Sequence, residues 1–376
     1  MSIDMTRVIS ADCHINEPPW VFDRVPESVR DRAPRLMKGT DGGDGWSFQG
    51  ETPERTYGIE AMAGRSDSDR VSGLRFEDIL PGNYDGAAHV ADMDLDGVDV
   101  SVVYPGVAAF IYSIDDREVG LACLRSYNDW ILEDFQGAAP GRIVALPMLP
   151  VDDGMETCVA EMQRVLAKGA RACFLPGQPV RPYHDDYYAA LWDAASESAA
   201  PLTFHRTFGG RTSELDWDRM SHQKVSAAGT VWRFFNSAKA LSYMILGGVF
   251  QRHPDLRIVA GEVNFSWIPF WAQTMDQQYE NEWYRRTGGV SLDRRPSEVL
   301  GENVFVTVLD DDLGFQMVAQ GFWPRLADIA MFSTDYPHSV CLWPDTRKHV
   351  ERLTAGWTAE DREKVLHGTA ERLYRL

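Results

Sequence analysis

Eight short runs of aliphatic and β-branched residues recur along this chain, and all but the first are followed promptly by a stretch with helical periodicity. They are Ile9–Ile15, Val100–Pro105, Ile143–Leu149, Ala170–Leu175, Pro201–His205, Leu256–Gly261, Val304–Val308 and Ile329–Ser333. Short, continuously apolar runs that alternate with helices describe parallel strands buried on both faces. Helices are expected over about 117–135, 153–167, 187–198, 237–250 and 267–284. Eight such units predict an α/β fold closed into a (β/α)8 TIM barrel rather than an open doubly wound sheet. No GxGxxG follows the first run, which argues against a dinucleotide-binding fold.

Between the first two runs lies a stretch with little periodicity, residues 17–88. Its Gly39–Gly45 and Arg65–Arg70 segments are dense in Gly, Asp and Ser, which are turn and loop signals. We read residues 17–88 as an inserted, lid-like segment within a single domain spanning 1–376. Trp20 and Phe22 are expected nearest the barrel mouth, with Gly39–Gly45 mobile on the outside; a partly disordered excursion is the alternative. A second excursion, polar and aromatic, follows the fifth run.

The residues able to do chemistry sit at the ends of these runs. Asp12 and His14 are two apart, so an extended strand turns both to one face. His205 ends the fifth run, Glu262 follows the sixth, and Asp335 and His338 follow the eighth. Ligands gathered at strand C-termini point to a metal held at the mouth of a barrel. Asp12, His14, His205 and Asp335 offer two imidazoles and two carboxylates, a set suited to one divalent ion: zinc first, with manganese or iron as alternatives. Asp335 has a second role open to it, as a base or as the holder of a substrate hydroxyl. Glu262 is read as an acid or base, as a ligand, or as the residue that orients His205. His338 either donates a proton or stabilises its loop. Trp20, Tyr104 and Phe110 are placed as pocket lining, and Arg206 as the partner of a substrate carboxylate or of a neighbouring loop. His89, His184, His222, His253, His349 and His367 read as structural or surface residues.

The chain carries 37 Lys and Arg against 56 Asp and Glu, a formal net charge of −19. With no basic run, that balance argues against a nucleic-acid surface. No apolar stretch is long enough to span a bilayer, and Met1–Arg7 lacks the start of a signal peptide. The cysteines, Cys13, Cys123, Cys158, Cys173 and Cys341, never form CxxC and are expected to be reduced and packed. A cytoplasmic enzyme acting on a small molecule is expected, with no nucleic-acid or membrane partner. Trp267, Trp271, Tyr279, Trp283 and Tyr284 are assigned to packing or to subunit contacts, in keeping with a homodimer.

Several segments, in this order, resemble the amidohydrolase superfamily. They are Asp12-Cys-His14-Ile-Asn-Glu-Pro18, Pro201-Leu-Thr-Phe-His205, the helix exit Gly248–Arg257, Trp267-Ile-Pro269, Ser333-Thr-Asp335-Tyr-Pro-His338 and Ala370-Glu-Arg-Leu-Tyr374. Within that superfamily the likeness is to the amidohydrolase-related group of aminocarboxymuconate-semialdehyde and hydroxybenzoate decarboxylases, and it covers nearly the whole chain. Two positions differ. The group commonly opens with His-x-His or Glu-x-His, where this chain has Asp12-Cys13-His14. Its decarboxylases carry a histidine where this chain has Glu262. The resemblance implies a metal-dependent decarboxylase or hydrolase acting on a small carboxylated, cyclic or aromatic, substrate. The competing classes are a non-haem-iron, oxygen-dependent enzyme on the same barrel and a catalytically inactive binding protein.

Overall fold

Buried on both faces, the eight runs each form a parallel strand. The structure is a computed structural model that describes residues 7–53, 55–66, 72–206, 226–287 and 289–376. The barrel strands are β1 (Ile9–His14), β4 (Val100–Tyr104), β5 (Ile143–Ala145), β6 (Cys173–Phe174), β7 (Leu202–His205), β8 (Ile258–Gly261), β9 (Val304–Val308) and β10 (Ala330–Phe332). Every residue in them is buried. β1, β4 and β5 form one continuous ladder, and β6 to β10 another. Backbone hydrogen bonds cross both seams. Leu149 N donates to Phe174 O at 3.0 Å and Phe174 N to Pro147 O at 2.8 Å. Asp335 N donates to Asp12 O at 3.0 Å and His14 N to Tyr336 O at 2.6 Å. The strands therefore follow one another around a ring in chain order, the arrangement of a (β/α)8 barrel.

The expected helices are present, with shifted ends. Arg117–Trp130, Met155–Ala167 and Ala189–Ser198 match closely. The helix expected at 237–250 instead runs from Ser226 to Leu246, and Gly248, at φ +74°, separates it from a short turn at Val249–Arg252. The tryptophan-rich helix is two pieces, Ile268–Glu280 and Glu282–Arg286, and Asn281 caps the second by accepting from Trp283 N at 2.9 Å. Residues 207–225 of the excursion after β7 lie outside the described residues. Among the described residues, no helix is long and apolar enough to cross a membrane. All five cysteines are free thiols, four of them buried.

Two features of the inserted segment differ from expectation. Its end already belongs to the helix Gly86–Asp96, started by Asp85, whose side chain accepts from Ala88 N at 2.8 Å. Gly39–Gly45, read from the sequence as loop, is the second. It carries the turn of a hairpin, β2 (Arg35–Lys38) with β3 (Asp44–Ser47), which is locked by Tyr57 N to Asp44 O at 2.8 Å and Asp44 N to Leu74 O at 2.9 Å. A Cβ on Gly45 would lie 2.2 Å from the Arg55 carbonyl, so glycine is there to let two backbones meet. The hairpin's core is Trp46 against Phe22, rings 5.3 Å apart, with Trp46 Nε1 donating to Tyr57 Oη at 3.1 Å.

Glu17 joins this insertion to the barrel. It is fully buried, and its Oε1 accepts from Gly106 N at 2.9 Å just beyond β4. Burial pushes its carboxyl up from 4.5 to about 7, against the opposing pull of the backbone donors at 106–108. A raised acid holds its proton in the folded state after the unfolded chain has lost it, so stability falls as pH rises from 4.5 to about 7. The shift corresponds to about 3 kcal/mol. Glu17→Gln is therefore expected to flatten this part of the stability curve. Urea denaturation at pH 5 and pH 8 checks this: parallel curves for wild type and variant would remove Glu17 from the account.

Candidate metal centre

The ends of β1, β7, β8 and β10 turn five acidic and imidazole groups, Asp12, His14, His205, Glu262 and Asp335, into one buried cluster. The ladder between β1 and β4 shifts register between Ser10 and Cys13, a local irregularity that re-aims the strand at Asp12. Asp12, His14 and His205 together offer ligand atoms within 4.8 Å of one another, and so do His14, Asp335 and His338. His14 Nε2 lies 3.4 Å from Asp12 Oδ1 and 3.3 Å from Asp335 Oδ1. His205 Nε2 lies 3.7 Å from Asp12 Oδ2 and 3.2 Å from Glu262 Oε2. Asp12 Oδ1 and Asp335 Oδ1 are buried and receive no hydrogen bond among the described residues. Buried carboxylate oxygens are costly unless satisfied. The donor set is the one a divalent ion takes from imidazole and carboxylate, so the residues suit the ion.

Neighbouring groups fix these side chains. Thr307 on β9 donates to Asp12 Oδ2 at 2.8 Å, and its Oγ1 accepts from Glu262 N at 2.6 Å. The Pro105 carbonyl is a hydrogen-bond partner of the His14 imidazole, the usual support for a metal-binding histidine. Tyr104 closes the floor, its ring 5.9 Å from His14 and 5.4 Å from His205, with its hydroxyl 2.7 Å from Thr203 Oγ1. His338 stacks on His14 at 4.0 Å and holds Asp335 by a hydrogen bond between its Nδ1 and the carboxylate Oδ2 at 3.2 Å. Glu262 and Asp335 sit at φ +54° and +53°, a left-handed conformation that non-glycine residues adopt at a cost, often at functional sites.

The electrostatics favour a cation. Burial, with Asp335 and Glu262 nearby, pushes the Asp12 carboxyl well above its ordinary range. Glu262 is raised to about 7 by burial and then by Asp335. Burial alone would raise Asp335 too, but His338 and His14 beside it hold it well below the usual carboxylate range. Burial, and then the neighbouring His338, lowers His14 to about 4, which leaves a neutral imidazole able to donate its lone pair. His205 is lowered in the same way, by burial and then by His14.

The remaining candidates fall around this cluster at different distances. Arg206, next to His205, bonds Glu262 through Nη2 and lies over the Phe234 ring, 4.3 Å from its centre. Trp20 is 47% exposed and meets Phe76 and Tyr84 edge-on, and Phe110 is 41% exposed against Phe48. Trp20 thus packs within the insertion, Phe110 joins the loop after β4 to the insertion, and Phe22 is inside the hairpin's own core. His89 is structural as expected, its ring nitrogens 2.9 Å from Gly82 O and 3.1 Å from Ser101 Oγ. His222 lies outside the described residues. Sequence reasoning missed Thr307, whose only signal is its place in a β-branched run, and Glu17, which follows the Asp12–His14 pair by three residues.

Residues 11–376 match the model of the amidohydrolase family. Among characterised proteins, the chain is 24% identical over 282 residues to γ-resorcylate decarboxylase of Rhodococcus jostii (strain RHA1), covering 72% of this chain and 81% of that one. Among solved structures, it resembles an amidohydrolase of Mycobacterium avium subsp. paratuberculosis K-10 (TM-score 0.77, 21% identity, 98% and 99% of the two chains covered). It also resembles 5-carboxyvanillate decarboxylase from Novosphingobium aromaticivorans DSM 12444, solved with manganese and 4-hydroxy-3-methoxy-5-nitrobenzoic acid (TM-score 0.67, 18% identity, 99% and 97% covered). A barrel with this cluster of imidazoles and carboxylates at its strand ends, matched by a family model over nearly its whole length, belongs to the amidohydrolase family.

Proposed function

We infer that this protein is a metal-dependent decarboxylase of a small, hydroxylated aromatic carboxylate. One observation carries the reading. Beside the ligand cluster, Arg206 Nε and Nη1 are buried with no hydrogen-bond partner among the described residues, while Nη2 is held by Glu262. Buried donors of a charged group are costly to leave unmet, and a guanidinium is the group best shaped to meet a carboxylate. The names of the relatives, γ-resorcylate decarboxylase and 5-carboxyvanillate decarboxylase, support the same class.

Asp12, His14, His205 and Asp335 would hold the ion. When bound, a divalent ion supplies positive charge that polarises a substrate oxygen. Manganese, found in the 5-carboxyvanillate decarboxylase, suits two carboxylates and two imidazoles and is the ion to load first, ahead of zinc.

The protein's own groups account for the rest. Arg206 anchors the substrate carboxylate. Glu262, raised to about 7, holds a proton near neutral pH and stands beside Arg206, so it delivers that proton to the ring carbon bearing the carboxylate. The bond between ring and carboxylate then breaks, its electron pair restores the aromatic ring, and CO₂ leaves. Glu262 takes a new proton from solvent. Asp335 stays ionised and is fixed in place by His338.

The test is CO₂ release from γ-resorcylate and 5-carboxyvanillate by manganese-loaded protein in D₂O. Metal-dependent CO₂ with one deuterium at the vacated ring position is expected. Fully metallated protein that releases no CO₂ from either acid would contradict the reading.

A further inference from the structure

Asp335 owes its place to a segment that is anchored at two sides. At φ +53° it is a left-handed residue other than glycine, and such a conformation persists only where its surroundings over-determine it. On the barrel side, Thr334 N donates to Ser10 Oγ at 2.8 Å, Asp335 N to Asp12 O at 3.0 Å and His14 N to Tyr336 O at 2.6 Å. These bonds tie residues 334–336 to β1, but bonds to one strand leave the segment free to tilt about it. The second anchor is on the helix Gly86–Asp96, where the Tyr336 hydroxyl donates to Asp92 Oδ2 at 2.5 Å.

The same helix holds the rest of the segment. Trp343 Nε1 donates to the Asp92 carbonyl at 3.0 Å, and Thr346 gives its N–H and its hydroxyl to the Asp96 carboxylate, at 2.8 and 2.7 Å. His89, also on this helix, meets the Tyr336 ring edge-on with centroids 5.2 Å apart. Packing around the Tyr336–Asp92 bond is close: a Cβ on Gly82 would lie 2.0 Å from Asp92 Oδ2 and 2.5 Å from the Tyr336 hydroxyl. The helix is therefore a splint for the stretch that carries Asp335 and His338. Of its attachments, the one to Tyr336 is nearest in sequence to Asp335. Tyr336 is buried and Asp92 half-buried, so the bond can be cut from Asp92 with little loss of packing.

Resting on the assignment of Asp335 to the ion, we propose that Tyr336 and Asp92 are a positioning pair whose hydrogen bond sets the direction in which the Asp335 carboxylate meets the metal. Neither residue belongs to the ligand set. Both act through Asp335. A ligand already aimed needs no ordering when the ion arrives, and groups that orient metal ligands are worth about 10–100-fold in metal affinity. Cutting the bond should therefore loosen the ion and alter its surroundings, while Arg206 and Glu262 stay where they are.

The experiment measures the manganese dissociation constant by calorimetry, the electron paramagnetic resonance spectrum of the manganese-loaded protein, and the melting temperature. The proteins are wild type, Tyr336→Phe, Asp92→Ala, Asp92→Asn, Thr346→Val and Asp335→Ala. Tyr336→Phe and Asp92→Ala should each weaken manganese by ~10-fold or more and change the line shape of the bound ion. Asp92→Asn keeps an acceptor oxygen and should recover most of that loss; it and Asp92→Ala carry the test should Tyr336→Phe fail to fold. Thr346→Val cuts the far attachment of the same segment and is the structural control: its melting temperature should fall while its manganese constant and spectrum stay those of wild type. Manganese constants within about threefold of wild type in Tyr336→Phe and Asp92→Ala, near the scatter of independent sites, would overturn the role of the pair. So would an equal loss in Thr346→Val. Asp335→Ala should bind manganese least of all. Wild-type affinity in that variant would overturn the assignment of Asp335 to the ion, and the pair's role with it. CO₂ release enters none of these readouts, so the outcome is separate from the test of decarboxylation.

Discussion

His205→Ala and His14→Ala are each expected to lose the metal and, with it, turnover. Both imidazoles are fully buried at the end of their strands and lowered in pKa, so each presents a neutral lone pair to the cluster. His205 Nε2 stands between Asp12 Oδ2 at 3.7 Å and Glu262 Oε2 at 3.2 Å. Without it, the carboxylates at that end of the cluster face one another across a cavity. Changing a residue that only supports a ligand costs 10–100-fold in metal affinity, so losing a ligand itself should cost more than ~10²-fold. Elemental analysis after gel filtration reads this directly. Either variant retaining a full equivalent of tightly held metal would remove that histidine from the ligand set.

Glu262→Gln should behave differently, keeping its metal while turnover falls by ~10²-fold or more, the usual contribution of a general acid. The substitution is a clean probe because the backbone at this position is already fixed. Its N–H donates to Thr307 Oγ1 at 2.6 Å and its φ is +54°, a strain that glutamine shares with glutamate. What changes is the proton. Glutamine occupies the same volume and still meets Arg206 through its amide oxygen, but has no carboxyl proton to deliver. Metal lost together with activity would make Glu262 a ligand. A metallated variant with wild-type turnover would leave Glu262 a purely structural neighbour of Arg206. Single-turnover kinetics alongside metal analysis separates the three.

The barrel was legible because strands buried on both faces cannot hide: Val100-Ser-Val-Val-Tyr104 and Val304-Phe-Val-Thr-Val308 announce themselves by composition, and both are buried throughout. The clustering of Asp12, His14, His205 and Asp335 was legible for a related reason, since each ends or directly follows an apolar run and so falls at a strand's C-terminal end. What escaped depends on contacts between distant parts of the chain. The helix Gly86–Asp96 carries alanine and aspartate with weak apolar periodicity and is fixed by its cap at Asp85. The hairpin from Arg35 to Ser47 reads as loop because its glycines, a turn signal in sequence, here permit close packing against Arg55 and Gly73. Thr307 looks like any β-branched strand residue until the fold brings it to Asp12 and Glu262.

The most direct test of the metal centre is an anomalous difference map from crystals grown with manganese, with data collected on either side of the manganese absorption edge. One strong peak is expected at the mouth of the barrel, in contact with Asp12, His14, His205 and Asp335. A crystal that shows no such peak there, or places its manganese away from these four residues, would contradict the account.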